Sequence, residues 1–362
     1  MKKVRLLAAP LLVTVLLINA ENSNGQLSMD FIYGGLEDTE ILLQEYIQPY
    51  ANVLGANLNA GWYHTAKPHK LGGFDVTATV SWAFAPPSAL DYDLSTIPNL
   101  NATIEGDPVA PTAAGSMDNR PDLVYSEEVN LGVGGMQEVE IARFTHPNGS
   151  GLNWLPLPMA QLSVGLPKGT DVTVRYIPAV RYRDYGEIGL WGVGGKHSIS
   201  QWIPVIKKLP ILDISIQGGY TNVSSAAHLG LEPLPVDIEP DNIPDWDDQY
   251  LNLDVQGWTI NLIASQTIPV LTFYQGIGYS NSIVDISMTG HYPMHTVITE
   301  GGQAGSTTYT VEEDPLAFNV ENFRNLRLNA GVRVKLGVLT LHYDYTYTLY
   351  STHTAGIGIS FR

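Results

Sequence analysis

Apolar and polar positions alternate strictly near the C-terminus. Leu339, Leu341, Tyr343, Tyr345, Tyr347 and Leu349 fall on one face of an extended chain, and Thr340, His342, Asp344, Thr346 and Thr348 on the other. After a short turn, Ile357, Ile359 and Phe361 alternate with Gly356, Gly358 and Ser360. Upstream, Val76, Ala78, Val80, Trp82 and Phe84 alternate with Asp75, Thr77, Thr79, Ser81 and Ala83. A strand of about 9–11 residues with one apolar, aromatic face and one polar face suits a strand that crosses a bilayer. The same rhythm predicts strands near 59–66, 73–84, 138–146, 156–166, 170–183, 186–199, 211–223, 250–265, 268–282, 284–298, 321–336, 338–350 and 352–362. The fold expected is an all-β, antiparallel transmembrane β-barrel of about 12–14 strands. Fourteen is preferred because bacterial barrels carry even numbers of strands.

Connections alternate in length. Pro167-Lys168-Gly169, Asp184-Tyr185-Gly186 and Ser351-Thr352 read as tight turns, whereas 86–135, 226–249 and 299–320 are long and rich in turn-forming residues. Short periplasmic turns and long extracellular loops are the pattern of such barrels.

Ahead of the strands the period changes. Leu43, Tyr46, Ile47, Tyr50 and Leu54 recur at helical spacing, predicting a helix over Thr39–Leu58. Asp38 or Thr39 is its expected cap, with Glu40 in the first turn. Pro49 should kink or split it, and Gly55 weakens its end. A lone amphipathic helix before a barrel can plug the lumen or lie in the membrane interface; the plug is the preferred reading.

Met1 to Arg5 is basic, Leu6 to Ile18 is apolar, and Ala20 supplies a small residue at the cut. This is the pattern of a secretory signal peptide. The expected organisation is therefore a signal peptide at 1–20, a helical plug segment at 21–58 and a barrel domain at 59–362. After the signal no apolar run approaches the roughly 20 residues of a membrane helix, so strands must do the crossing. The expected location is the outer membrane of a Gram-negative bacterium.

The formal net charge is −17, from 19 basic and 36 acidic residues. This argues against nucleic acid as a partner. The acidic run Asp237–Asp248 lacks the ordered spacing of a calcium loop and reads as solvated. There is no cysteine, which excludes disulfides, thiol nucleophiles and cysteine-based metal sites. His291 and His295, four apart on one strand face, lie about 13 Å from each other, too far to share a metal. No cofactor or metal is expected.

Two basic rows stand out. Arg175, Arg181 and Arg183 oppose Val172, Val174, Tyr176, Pro178, Val180 and Tyr182, and Arg327, Arg333 and Lys335 oppose the apolar face from Leu326 to Leu336. An Arg or Lys on the lipid face at mid-membrane costs about 2–4 kcal/mol, so both rows should point inward. With His342 and Asp344 they are the candidate lumen-lining or ligand-guiding residues. They could guide an anionic group of a passing ligand. The favoured alternative is pairing with Asp75, Asp171, Asp213 or Asp344, because a narrow lumen cannot leave charges unpaired. His342 and Asp344 with Ser351 or Ser360 could be imagined as a hydrolytic set. No Gly-x-Ser-x-Gly elbow supports it, and no enzymatic activity is expected.

The segment Trp191–His197 is glycine-rich, which permits a bend or close backbone approach. Trp202, Ile203, Ile206 and Leu209 follow near helical spacing with Lys207 and Lys208 opposite, as in an interfacial anchor. The combination of Leu166-Pro-Lys-Gly-Thr-Asp-Val-Thr-Val-Arg-Tyr-Ile-Pro178, Gly192-Val-Gly-Gly-Lys-His197, Gln201-Trp-Ile-Pro204 and Leu209-Pro210 resembles an uncharacterised family of bacterial outer-membrane barrels common in Bacteroidota. The layout of a helical segment followed by about 14 strands is similar to long-chain fatty-acid transporters of the FadL type. The barrel pattern together with the Thr39–Leu58 helix suggests a passive channel for a small hydrophobic compound, its lumen gated by that helix. A structural or surface-interaction barrel is the alternative. The expected partners are outer-membrane lipid, the outer-membrane assembly machinery and a hydrophobic small molecule.

Overall fold

The computed structural model describes residues 36–361 apart from 117–119, 131–134, 183–185, 208, 210, 234, 242, 300–303 and 321–323. The signal peptide and Arg183 lie outside the described residues.

Ten strands form a closed antiparallel wall: β1 (Phe74–Phe84), β2 (Trp154–Leu166), β3 (Thr170–Tyr182), β4 (Gly186–Ser198), β5 (Leu212–His228), β6 (Tyr250–Ile268), β7 (Leu271–Thr289), β8 (Asn325–Leu336), β9 (Leu339–Tyr347) and β10 (Thr352–Phe361). Each pairs with the next in sequence, and β1 pairs with β10 from Phe74↔Phe361 to Ala83↔Thr352, which closes the ring. Closure leaves no unpaired edge for lipid to meet.

The wall is inside-out relative to a water-soluble fold. On β9, Leu339, Leu341, Tyr343, Tyr345 and Tyr347 are exposed, while Thr340, His342, Asp344 and Thr346 are buried. The same parity holds for Val76 and Val80 against Asp75, Thr77, Thr79 and Ser81 on β1. Toward the loops the outer face carries aromatic pairs, Trp191–Tyr220 with centroids 5.4 Å apart and Trp258–Tyr279 at 5.7 Å. At the opposite end Phe74 and Phe361 meet across the closing seam at 5.1 Å. Such belts mark membrane–water interfaces.

Connections sort by end. One end carries the short turns 167–169, 269–270 and 337–338, with the segment 199–211. In the first turn Lys168 and Gly169 both take left-handed φ, +62° and +67°, as a tight hairpin needs. In 199–211, a 3-10 turn (Ser200–Trp202) and one helical turn (Pro204–Lys207) expose Trp202 and Val205, beside the apolar band. The other end carries 85–153, 229–249 and 290–324, with two brief connections at 183–185 and 348–351.

The ten-strand wall is smaller than the 12–14 expected, for three local reasons. Residues 59–66 form a bending segment inside the lumen, with Gly61 at φ +69°, and pair with no wall strand. The 138–146 strand exists as Met136–Thr145, but it joins Asp122–Asn130 and Thr103–Glu105 in a small sheet at the loop end. The 284–298 segment divides: 284–289 extends β7, and His291–Val297 forms a loop-end hairpin with Thr307–Glu313. Alternation reports an extended chain with two unlike faces, not the sheet it joins.

The helix α1 (Leu36–Leu58) stands inside the barrel, against β1 and β2 on one side and β6 and β7 on the opposite side. It runs unbroken through Pro49. Asp38 lies within it rather than capping it, and its carboxylate accepts hydrogen bonds from the Asn101 backbone N–H at 3.0 Å and the Asn101 Nδ2 at 2.9 Å. Leu43, Tyr46, Tyr50 and Leu54 are buried and Ile47 is half-buried, and the buried Leu42, Val53 and Leu58 widen that apolar face. On the opposite side Gln44, Gln48 and Asn52 are only half-buried, so the helix keeps a polar stripe inside the barrel.

The loop end closes over the helix as a small hydrophobic core, with Leu94, Ala110, Leu123, Tyr125 and Phe144 joining Leu42 and Leu43. Tyr46 donates its hydroxyl to the Asn148 carbonyl at 2.6 Å, and Tyr50 to the Leu152 carbonyl at 2.8 Å. His146 sits in this cap, with Tyr92 Oη 2.7 Å from its Nε2 and the Pro147 carbonyl 2.9 Å from its Nδ1. Burial, aided by the positive Arg120, pushes the His146 pKa down from 6.5 to about 4 against the opposing Pro147 bond. A depressed histidine pKa means the unfolded chain takes up a proton that the folded cap refuses. The cap is therefore at full stability above pH 6.5 and loses on the order of 3 kcal/mol as pH falls to about 4. Limited proteolysis of the loop end should accelerate across that window, and His146→Asn should flatten the pH dependence.

Candidate functional site: the occupied lumen

The lumen is occupied by α1 and by the irregular residues 59–70 that follow it. Contacts descend the wall in order. Asn57 Nδ2 donates to the Leu155 carbonyl at 2.8 Å near the loop end of β2, and the Gly72 N–H donates to the Gly165 carbonyl at 3.1 Å near its turn end. Between them, Ser265 Oγ accepts from the Ala66 N–H at 3.0 Å, and the Ser215 hydroxyl donates to the Ala66 carbonyl.

Two guanidinium groups meet the helix where it ends. The last carbonyls of a helix have no partners within it and carry its negative dipole end. Arg175 on β3, wholly buried, donates to the Leu58 carbonyl at 2.9 Å and the Ala60 carbonyl at 2.7 Å. Its Nε donates to Gln161 Oε1 at 3.2 Å, and its Nη1 also reaches Thr221 Oγ1 at 3.5 Å. Arg327 on β8 donates to the Asn59 carbonyl and to Thr259 Oγ1 at 3.3 Å. The two basic rows thus point inward at these positions, but their partners are backbone carbonyls of the plug, not the carboxylates expected from the sequence. The planar guanidinium presents its donors in a fixed fork, which suits two neighbouring carbonyls.

Arg175 also lies 3.6 Å from the centroid of the Trp62 ring, a cation–π arrangement. That ring rests on the wall at Gly194 and Gly219, where an added Cβ would come within 2.6 Å and 2.4 Å of it. The glycine-rich stretch of β4 serves this close approach.

Below Trp62 lies an ionic cluster. Asp75 on β1 is 3.2 Å from His69 Nε2 and 3.5 Å from His64 Nε2. Asp171 on β3 is 3.1 Å from His69 Nδ1 and 3.1 Å from Lys196 Nζ, and also accepts from the His69 backbone N–H at 2.8 Å. Both ring nitrogens of His69 face carboxylates, an arrangement that an imidazolium satisfies with two donors. Arg333 can only donate, so His64 Nδ1, 3.1 Å from its Nη1, must accept, leaving the Nε2–H directed at Asp75. The lumenal carboxylates thus pair with the plug's histidines and with Lys196, which sequence reasoning did not single out.

Among the other predicted residues, His342 stacks on His64 with centroids 5.0 Å apart. Asp344 accepts from Asn329 Nδ2 at 2.7 Å and from Tyr274 Oη at 3.0 Å. Lys335 donates to the Ser360 carbonyl at 3.0 Å. Asp213 lies 4.0 Å from Lys67. Arg181 is placed on β3, its side chain lying outside the described residues. Among the described residues no group of three or more His, Asp or Glu side chains is arranged to hold a metal ion.

The void left beside Trp62, His64, Asp75, Lys196 and Gln217 is about 10 Å³, room for about one water. A larger cleft of about 490 Å³ lies at the loop end, lined by Glu187, Asp254, Asp285, Asn252 and Asn319. Asp254 shares a strand face with the outward Trp258, so this polar cleft belongs to the outer surface and not to the lumen.

These features define a plugged transmembrane β-barrel of the outer-membrane type. The chain belongs to a family of unknown function, DUF6588, whose profile matches residues 1–361. No curated protein sequence matches it. Among solved structures it is similar to the translocator domain of the autotransporter NalP from Neisseria meningitidis, at 9% identity over 91% of this chain and 99% of that chain, TM-score 0.30. It is also similar to the Ralstonia pickettii toluene transporter TbuX, at 11% identity over 81% of this chain and 90% of that chain, TM-score 0.17. The monoaromatic hydrocarbon channel CymD matches at 9% identity over 80% of this chain and 88% of that chain, TM-score 0.14.

Substitutions at Gly219, Trp62 and Arg175 test the packing of the plug. Gly219→Val should destabilise the barrel by about 1–3 kcal/mol through overpacking against Trp62, read as a lower temperature of heat-modifiable gel mobility. Trp62→Ala removes the clash but leaves a cavity, so the double variant should be less destabilised than the sum of the two single changes. Arg175→Met leaves two buried carbonyls without donors and should cost about 1–3 kcal/mol for each. Arg175→Lys should fall between Arg175→Met and the wild type, because one ammonium cannot reproduce the planar fork.

Proposed function

We propose that this protein is a resting-closed outer-membrane barrel with no standing channel, the structural or surface-interaction reading of the sequence. The observation that carries this is the occupancy of the lumen. Residues 36–70 fill it from cap to turn end, hold it by guanidinium–carbonyl and ionic contacts, and leave a void of only about 10 Å³ beside Trp62. A standing passive channel for a small hydrophobic compound would need an apolar path beside the plug, and the contacts favour a sealed interior instead. Passage of such a compound would require α1 and the 59–70 segment to leave the lumen. The apolar band implies outer-membrane lipid as a partner. The closing strand β10, with the aromatic Phe361 at its end, suits recognition by the outer-membrane assembly machinery.

Planar-bilayer recording tests this reading. The full chain should be silent. Deletion of 36–58, or Arg175→Gln with Arg327→Gln, should produce steady conductance in barrels that still show heat-modifiable mobility. Steady conductance by the full chain would overturn the closed reading. Silence of the deletion variant would show that α1 is not what closes the lumen.

A further inference from the structure

The plug has a direction as well as a position. Its contacts run one way along the wall: Asp38 with Asn101, Tyr46 with Asn148 and Tyr50 with Leu152 in the cap, then Asn57 with Leu155, Ala66 with Ser265, and Gly72 with Gly165. Leu36 stands at the loop end and is 38% exposed. Leu71 stands at the turn end and is 73% exposed. The chain therefore enters the lumen at the end with the long loops, leaves at the end with the short turns, and passes directly into β1.

The direction is written into the wall electrostatically. Arg175 and Arg327 project from strands on different sides of the ring toward the negative end of the helix dipole. A helix inserted the other way would present its N–H groups to two guanidinium groups that can only donate. The cap adds a second constraint, because Asp38 accepts from Asn101 only when the helix N-terminus is uppermost.

In outer-membrane barrels the short turns face the periplasm and the long loops face the medium. We propose that this barrel presents the N-terminal end of α1 at the cell surface, with α1 and residues 59–70 threading the chain inward from there to β1. The function added is surface presentation of the start of α1, at Leu36, and it holds whether or not the barrel ever conducts.

The absence of native cysteine makes the test direct. Single variants Leu36→Cys and Leu71→Cys bracket the plug, and Asp107→Cys marks an exposed loop. Each is displayed in intact cells and treated with a polyethylene-glycol maleimide too large to cross the outer membrane. Heat-modifiable mobility verifies that each barrel is folded. Leu36→Cys and Asp107→Cys should label in intact cells, and Leu71→Cys only after permeabilisation. Protection of Leu36→Cys beside a labelled Asp107→Cys would overturn the proposal, as would labelling of Leu71→Cys in intact cells. Should Leu36→Cys fail to fold, an epitope fused ahead of Leu36 replaces it. Antibody binding to intact cells is then the expected result, and binding only after permeabilisation the contrary one.

Discussion

Lipid offers no hydrogen bonds, so a polypeptide that runs through a membrane without being a wall strand must find its partners within the protein. Residues 59–70 are such a polypeptide, and the end of α1 shares the difficulty. The interaction on which the arrangement depends is the donation from Arg175 and Arg327 to the carbonyls of Leu58, Asn59 and Ala60. It gives buried cations a negative partner without a carboxylate, and it gives orphaned helix carbonyls their donors. Each half would be costly alone, because an unpaired buried charge and an unpaired buried carbonyl are both disfavoured.

The other lumenal contacts continue the same logic. Asp75 and Asp171 are divided among His64, His69 and Lys196, so that wall carboxylates meet plug or wall cations at short range. Above them the interior turns apolar where α1 passes into the cap, and Tyr46 and Tyr50 carry the transition with buried rings and bonded hydroxyls. The lumen thus has two chemistries stacked along its axis, ionic toward the turns and apolar toward the loops. The single chain that fills it is matched to both.

Much of this architecture was legible in the sequence, and the misses are instructive. The period of two placed Thr340, His342, Asp344 and Thr346 inside and Tyr343 and Tyr345 outside, and the structure has them so, because lipid permits no other parity. The inward aim of Arg175, Arg327 and Arg333 followed from the cost of charge in lipid. Their partners were not legible, because a backbone carbonyl leaves no mark in the residue type that bears it. Residues 59–66 read as a strand, but all eight are buried on a bending segment that the lumen encloses, which residue types alone do not distinguish from a wall strand. Met136–Thr145 read as wall because pairing within a loop-end sheet imposes the same period as pairing within a barrel. Lys196 escaped notice within a glycine-rich run whose other message, close approach of another backbone or ring, was there to be read.

That close approach has a consequence for how this protein can change over generations. At Gly194 and Gly219 the wall lacks side chains where Trp62 lies, so part of the plug's shape is recorded as absence on strands far from it in sequence. Neither partner can drift alone: a bulkier wall residue finds no room, and a smaller plug residue leaves a hollow beneath Arg175. The heritable unit is therefore not the N-terminal segment or the barrel but the pair. A segment transplanted from a relative would fit only when it brought its own glycines with it.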